Sequence, residues 1–393
     1  MPVDPRYEMG KRIAAARRLV RLTQKGLADA AGVSYSTVRA IERGARMPGD
    51  DVLDALAAAL SVDPARLLGH RGHTDSRVHD EIPALSRVIA TYDLPEDGPV
   101  RSLDELRAAV SEAVDWRVGA QYLRIARNLP GLLEELARAL DGASGADRPE
   151  VARLLVAAYR TADAVAYKFG YQDLSARLVE LMRWAAPTAE DPLLDVTVAY
   201  VRCETFFAAQ AHGPGLRALE NALDTAPRTR KDTVTATRGA LHMRAAVIAG
   251  RARREDAAML HIGAARRCAD AVSEGLYYGT AFGPSSVRVH EVSLAVSLGG
   301  QHLQRALDIA HRWAPARDLP AERRSGFYIE IARAQLWAGL VDDAFESLKL
   351  ARRIAPQHVR DHRWVREDIA TLRRLKRADR EDISNYALWC RAV

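Results

Sequence analysis

Apolar residues in the first fifty positions recur at three- and four-residue steps, and the pattern is broken by glycine at positions 32 and 44. Met9, Ile13, Ala16 and Val20 share one face of a helix predicted over residues 7–21. Leu27, Ala28 and Ala31 line a short second helix starting at Gln24, with the Thr23 hydroxyl as its cap. Gly32 stands just past that helix, where a left-handed backbone is cheapest without a Cβ, and Val33 plugs the corner. Ser34 caps a third helix that turns Val38 and Ile41 inward and Tyr35, Ser36, Arg39 and Arg43 outward. Pro48 then breaks the chain. Asp50 and Asp51 favour the first turn of a fourth helix to Leu60, and Asp63-Pro64 opens a predicted fifth through Leu68.

Residues 70–83, HRGHTDSRVHDEIP, are polar with little periodicity and read as a linker. His70, His73 and His79 fall in it without a cysteine or second ligand cluster, which argues against a metal site. From Ala84 onward the apolar spacing is helical and no alternating strand pattern appears. A helical stretch this long invites a search for repeats. The clearest unit is 325–356, with Tyr328, Ile331 and Ala332 packing a first helix and Gly339 at the turn. Ala344, Leu348 and Ala351 pack its second helix, and Pro356 closes it. This unit resembles a tetratricopeptide repeat. Weaker copies are marked by Gly170, Ser175, Val179, Met182 and Pro187, then by Ala218 with Ala222, Ala258 with Ala265, and Ala306 with Ala310. They recur at steps of 38 to 48 residues, longer than the usual ~34. Residues 103–140 form an earlier pair, and 359–375 with 382–392 a C-terminal cap.

Charge adds a direction. The first 46 residues hold ten basic groups (Arg6, Lys11, Arg12, Arg17, Arg18, Arg21, Lys25, Arg39, Arg43 and Arg46) against Asp4, Glu8, Asp29 and Glu42. That surplus equals the net charge of the whole chain, +6, so the remaining residues balance. A cationic head on a neutral body is the electrostatic footprint of a duplex-binding protein. At 393 residues and 48% hydrophobic, the chain is globular and too long for one ordinary domain. Cys203, Cys268 and Cys390 have no paired or metal-ligand spacing. No signal peptide and no membrane-length apolar run are present, so a cytoplasmic location without a membrane partner is expected.

Gln24, Leu27, Ala28, Gly32, Val33, Ser34, Val38, Ile41, Glu42 and Gly44 stand at the spacing of the phage-repressor/Cro (Xre) helix-turn-helix family, which residues 9–69 resemble. Gly26 departs from it, where relatives carry an acidic or amide residue. The resemblance implies a structural Arg17–Glu42 pair. It also implies a recognition helix in the major groove of double-stranded DNA, with Tyr35, Ser36 and Arg39 at base edges. Gln24 and Arg43 would hold phosphates, with Thr37 or Arg46 assisting and Ser34 in the same surface. The whole chain resembles bacterial regulators that join an Xre head to a tetratricopeptide-like body. Among these, 282–299 is similar to the actinobacterial type. In the peptide-sensing Rgg type, groove asparagines bind the peptide, whereas this chain has only Asn128, Asn221 and Asn385.

The expected fold is therefore all-α. A five-helix helix-turn-helix domain occupies 1–70, a linker 71–83 and a tetratricopeptide-like α-solenoid 84–393. Candidate groove residues are Tyr159, Tyr167, Tyr200, Phe206, Arg244, Tyr278, Phe282, Arg288, His290, Tyr328 and Arg333. An effector pocket is expected at Tyr278, Phe282, Ser286, Arg288 and His290, where Gly283-Pro284 interrupts a helix. His358 and His362 stand four apart but, with Arg360 and Asp361 between them, read as a solvated helix face. No phosphate loop, dinucleotide fingerprint or zinc-protease motif occurs, and no cofactor is implied. The function expected is a homodimeric transcription regulator sensing a small molecule or peptide. A scaffold working through its solenoid, or an antitoxin-like DNA-binding partner, are the rivals.

Overall fold

Among the described residues, seven inter-helix turns share one design. In a computed structural model describing residues 5–20, 22–60, 67, 75–360, 362–375, 380–390 and 392, the chain forms two compact units, Met1–Ser76 and Arg77–Val393.

The first unit contains α1 (Pro5–Leu19), α2 (Gln24–Ala30), α3 (Tyr35–Glu42) and α4 (Asp50–Ala59). Met9, Ile13, Leu27, Val38, Ile41 and Leu56 lie at its centre, each 2% exposed or less. Val20, expected inward, lies beyond the end of α1 and is exposed. The fifth helix expected over 63–68 falls outside the described residues except Leu67, which is buried and accepts a hydrogen bond from Arg12 Nε at 2.9 Å.

The second unit opens within α5 (Asp75–Ala90), so the expected linker is helical from Asp75. Val78, Ile82, Leu85, Val88 and Ile89 bury one stripe at helical spacing, and Pro83 is accommodated inside the helix. Antiparallel pairs follow: α6 (Leu103–Val118) with α7 (Tyr122–Gly142), α8 (Asp147–Lys168) with α9 (Gln172–Ala185), and α10 (Pro192–Ala208) with α11 (His212–Thr225). Next come α12 (Asp232–Arg251) with α13 (Glu255–Ala269), α14 (Pro284–Leu298) with α15 (Leu303–Arg312), and α16 (Ala321–Trp337) with α17 (Val341–Ile354). The short α18 (Pro356–Arg360) precedes α19 (Arg363–Leu375) and α20 (Arg380–Cys390).

Five of these turns place one residue in the left-handed region: Ala120, Gly170, Gln210, Arg253 and Gly339. In each, the next amide reaches back five residues, as Tyr171 N to Ala166 O at 2.8 Å and Leu340 N to Gln335 O at 2.8 Å. This double-bonded cap satisfies carbonyls that the helix end leaves open. Gly32 and Gly44 close α2 and α3 in the head the same way. Ser175, Gly215, Ala258 and Ala344 each stand five residues after the left-handed position and are buried against the preceding helix. A Cβ on Gly215 would lie 2.4 Å from Ile248 Cδ1, so the close-packed position of that repeat is Gly215, not Ala218 as the spacing suggested.

The expectation of an all-helical body fails at one place. Gly275–Tyr277 (β1) and Thr280–Phe282 (β2) pair antiparallel, with Tyr277 opposite Thr280. Tyr278 (φ 47°) and Gly279 (φ 72°) form the two-residue turn, both with the positive φ that twists such a hairpin correctly. Three-residue strands are too short to give an alternating signal.

Candidate functional site

Helix α3 begins at Ser34, whose hydroxyl accepts from Thr37 N at 3.1 Å, and α2 at Thr23, which accepts from Gly26 N at 2.9 Å. Both caps stand where the hydroxyls were expected. Val38 and Ile41 pin α3 to the core. Gly10, which the sequence reading passed over, sets how closely α1 approaches: a Cβ there would lie 2.3 Å from Ile41 O. A glycine inside a helix, costing ~1 kcal/mol against alanine, was the available signal.

Arg17 and Glu42 pair as expected, Nε to Oε1 at 2.7 Å and Nη2 to Oε2 at 3.0 Å. Gln24 Nε2 also donates to Glu42 Oε2 at 2.6 Å, so this residue, read as a phosphate contact, is partly committed inside the fold. The pairing orients the end of α3 against α1. On the outer face Tyr35, Ser36, Arg39, Arg43 and Arg46 are exposed. Ser34 Oγ lies 2.9 Å from Ser36 Oγ and 2.8 Å from Thr37 Oγ1, and Arg43 Nε donates to Arg39 O at 3.3 Å. Tyr35 and the Arg39 guanidinium have no hydrogen-bond or ion-pair partner among the described residues. The surface offers donors, cations and one ring, and no carboxylate.

The body contains a cavity of ≈ 810 Å³. The first helices of successive pairs supply it: Arg117 from α6, Arg160 and Lys168 from α8, Tyr200 and Glu204 from α10, Arg244 and Arg251 from α12. The hairpin contributes Gly279, Thr280 and Ala281, and α16 contributes Glu322, Arg323 and Glu330. Of the groove candidates, Tyr167, Tyr200, Arg244 and His290 line it. Tyr159 is buried in the core, Arg333 pairs with Asp368 and Glu367, and Tyr328 packs on Phe327. Phe206 does not reach the cavity; its neighbour Phe207 does.

Of the five residues expected to form an effector pocket, only His290 lines this cavity. Phe282 is fully buried against Gly239. Ser286 Oγ donates to Glu274 Oε1 at 2.6 Å, while Glu274 Oε2 accepts from Ser285 N and Ser286 N and so caps α14. Tyr278 donates to Asp191 Oδ2 at 2.8 Å, and Arg288 is exposed over Trp313. Pro284 starts α14 rather than interrupting a helix.

His358 and His362 do not form a solvated face. His358 ends on α18, His362 lies between α18 and α19, and both line the cavity. Burial and the Lys168 charge push His358 down to about 3, and burial with His358 holds His362 well below the usual imidazole range. Both are neutral at pH 7. His358 Nδ1 bonds Ser325 Oγ at 2.8 Å, and His362 Nδ1 is buried with no hydrogen-bond partner among the described residues. Among the described residues, no three His, Cys, Asp or Glu side chains are placed to hold a metal, and no helix is long and apolar enough to cross a membrane. His70 and His73 lie outside those residues, and His79 Nδ1 sits 2.6 Å from Tyr171 Oη.

The helix-turn-helix family matches residues 13–67. Over 58 residues the chain is 40% identical to an uncharacterized HTH-type transcriptional regulator, YazB of Bacillus subtilis (strain 168), covering 84% of that protein and 15% of this chain. Among solved structures it is similar to Bacillus thuringiensis PlcR in complex with the peptide PapR7 and DNA, with 17% identity and a TM-score of 0.29, covering 67% of this chain and 95% of that one. The apo competence regulator ComR of Streptococcus vestibularis gives 15% identity and a TM-score of 0.25, covering 74% of this chain and 99% of that one.

Proposed function

The chain belongs to the helix-turn-helix family of transcriptional regulators, and from that premise we propose that α3 reads double-stranded DNA while the helical body senses an effector. The observation that carries this reading is the outer face of α3: Tyr35 and Arg39 exposed and unpartnered on a helix whose other face is locked. A helix presented this way fits the major groove. Arg39 spans the two acceptors of a guanine, Tyr35 lies against a thymine methyl, and Ser36 bonds a base edge. Ser34, Thr37, Arg43 and Arg46 hold phosphates, and Gln24 keeps its second amide N–H for one. The domains we assign are a reading head over 1–70 and a sensing body from 84, joined by residues 71–83, which include the start of α5.

The protein acts as a homodimer in the cytoplasm, without catalysis, its two recognition helices one turn of DNA apart, ~34 Å. The cavity of the body takes the effector; its volume falls within the range of small-molecule pockets. Nuclease footprinting on the chain's own promoter region, with affinity measured against salt, tests the assignment. A two-fold-symmetric footprint and a steep fall of affinity with salt are expected. Weak, sequence-blind binding would make the chain a scaffold acting through its helical body.

A further inference from the structure

The cavity of the body holds more fixed positive charge than its own carboxylates neutralise. Among the described residues four acids line it, and each is engaged. Glu322 pairs with Lys168 at 2.6 Å and Glu204 with Arg244 at 3.4 Å. Asp163 accepts from Ser175 Oγ at 2.5 Å and Glu330 from Ser293 Oγ at 2.9 Å. Burial raises the pKa of Asp163 and lifts Glu330 to about 7, which weakens two of the four as counter-ions.

Arg117, Arg160, Arg251 and Arg323 also line the cavity, and none has a carboxylate partner among the described residues. Three of them, from three helices, grip the hairpin turn. Arg160 donates to Tyr278 O at 2.5 Å and Thr280 Oγ1 at 2.7 Å, Arg117 to Gly279 O at 2.8 Å, and Arg323 to Ala281 O at 3.3 Å. Arg160 is 9% exposed. Arg117 Nε and Arg244 Nε are buried with no hydrogen-bond partner among the described residues. The Tyr200 ring lies under two of these cations, 4.3 Å from Arg244 and 5.7 Å from Arg160. Arg251 rests over Phe207 at 4.4 Å and Trp364 at 5.5 Å. Guanidinium groups withdrawn from water without counter-ions are costly, and clustered they repel. Holding several around one space fits a site completed by an anion from outside, since a guanidinium pairs with carboxylate or phosphate through two parallel bonds.

We propose that this cavity binds a small organic anion carrying carboxylate or phosphate groups, held by Arg117, Arg160 and Arg323 beneath the hairpin, with its apolar part against Phe207 and Trp364. This rests on reading the body as the sensing half of the protein. The same arginines tie the ligand to the hairpin turn, so occupancy and hairpin order rise together.

Isothermal titration of the full chain with citrate and, separately, with inorganic pyrophosphate tests the site against sodium chloride at matched ionic strength. One of the two anions should bind at millimolar concentration or below, and which one binds separates carboxylate from phosphate chemistry. Arg160→Met should weaken binding at least tenfold, and Arg251→Gln, which touches only rings, gives a second variant if the first does not fold. Arg183→Ala, whose exposed side chain pairs with Glu180 away from the cavity, should leave anion binding unchanged. Heat no greater than with chloride, parental affinity in both cavity variants, or loss in the Arg183→Ala protein would each overturn the proposal. DNA binding of the same samples reports on the head independently, so failure of the anion site and failure of the regulator reading give different results.

Discussion

Glu330 shows what a single buried group does to the body. One carboxylate oxygen accepts from Ser293 and the other, Oε2, is buried with no hydrogen-bond partner among the described residues. Burial raises its pKa to about 7 despite the nearby Arg251 and Arg333 charges. An unfolded glutamate ionises near its ordinary value, so between about 4.5 and 7 the folded chain holds the proton more tightly. Stability from this group is therefore present at low pH and lost as pH rises through 7. Glu330→Gln removes that loss. Relative to the parent, the variant should gain about 2 kcal/mol between pH 5 and pH 8, measured by urea unfolding at both values. A difference that stays constant with pH would contradict the assignment. Nothing in the residue order marks Glu330. Its environment comes from helices far apart in the chain.

At the scale of elements, the recurring turn explains both what could be read and what was misread. Gly170 and Gly339 hold the left-handed position with glycine, and both turns were visible in the sequence. Gln210 and Arg253 hold it with side chains that are exposed, at φ 54° and 57°. Without glycine these turns carried no punctuation, and the small-residue register slipped to Ala218 where Gly215 is the close contact. The left-handed region costs a residue with a Cβ ~1–2 kcal/mol, partly offset by the greater freedom of glycine when unfolded. Gln210→Gly and Arg253→Gly should each stabilise the body by up to ~1 kcal/mol, read as a rise in thermal midpoint. A fall in either would show that its side chain contributes more than the turn strain costs. The hairpin escaped notice for a related reason: its strands are short, and its arginine contacts come from 42 to 162 residues away.

Across the whole molecule, the head was legible almost throughout. Its caps, its glycine turn, the Arg17–Glu42 pair and the outward face of α3 are local features that a spacing rule captures. The body was legible as helical pairs, since buried stripes recur at helical steps. Its cavity was not. Arg117, Arg160, Arg251 and Arg323 are four among many arginines until the fold gathers them, and His358 and His362 look like surface residues on a helix. Local chemistry is written in neighbouring residues, whereas a cavity is made by the order in which distant helices stack.

The central claim is that Arg39 reads a base from the outer face of α3. The direct measurement is equilibrium affinity of the parent and Arg39→Ala proteins, at one fixed salt concentration, for the footprinted site and each of its single-base-pair variants. Arg39→Ala should cost ~1–3 kcal/mol on the intact site and abolish discrimination at one base pair per half-site, leaving the others unchanged. Uniform weakening across every sequence would contradict it, and would make Arg39 a phosphate contact on a helix that specifies nothing.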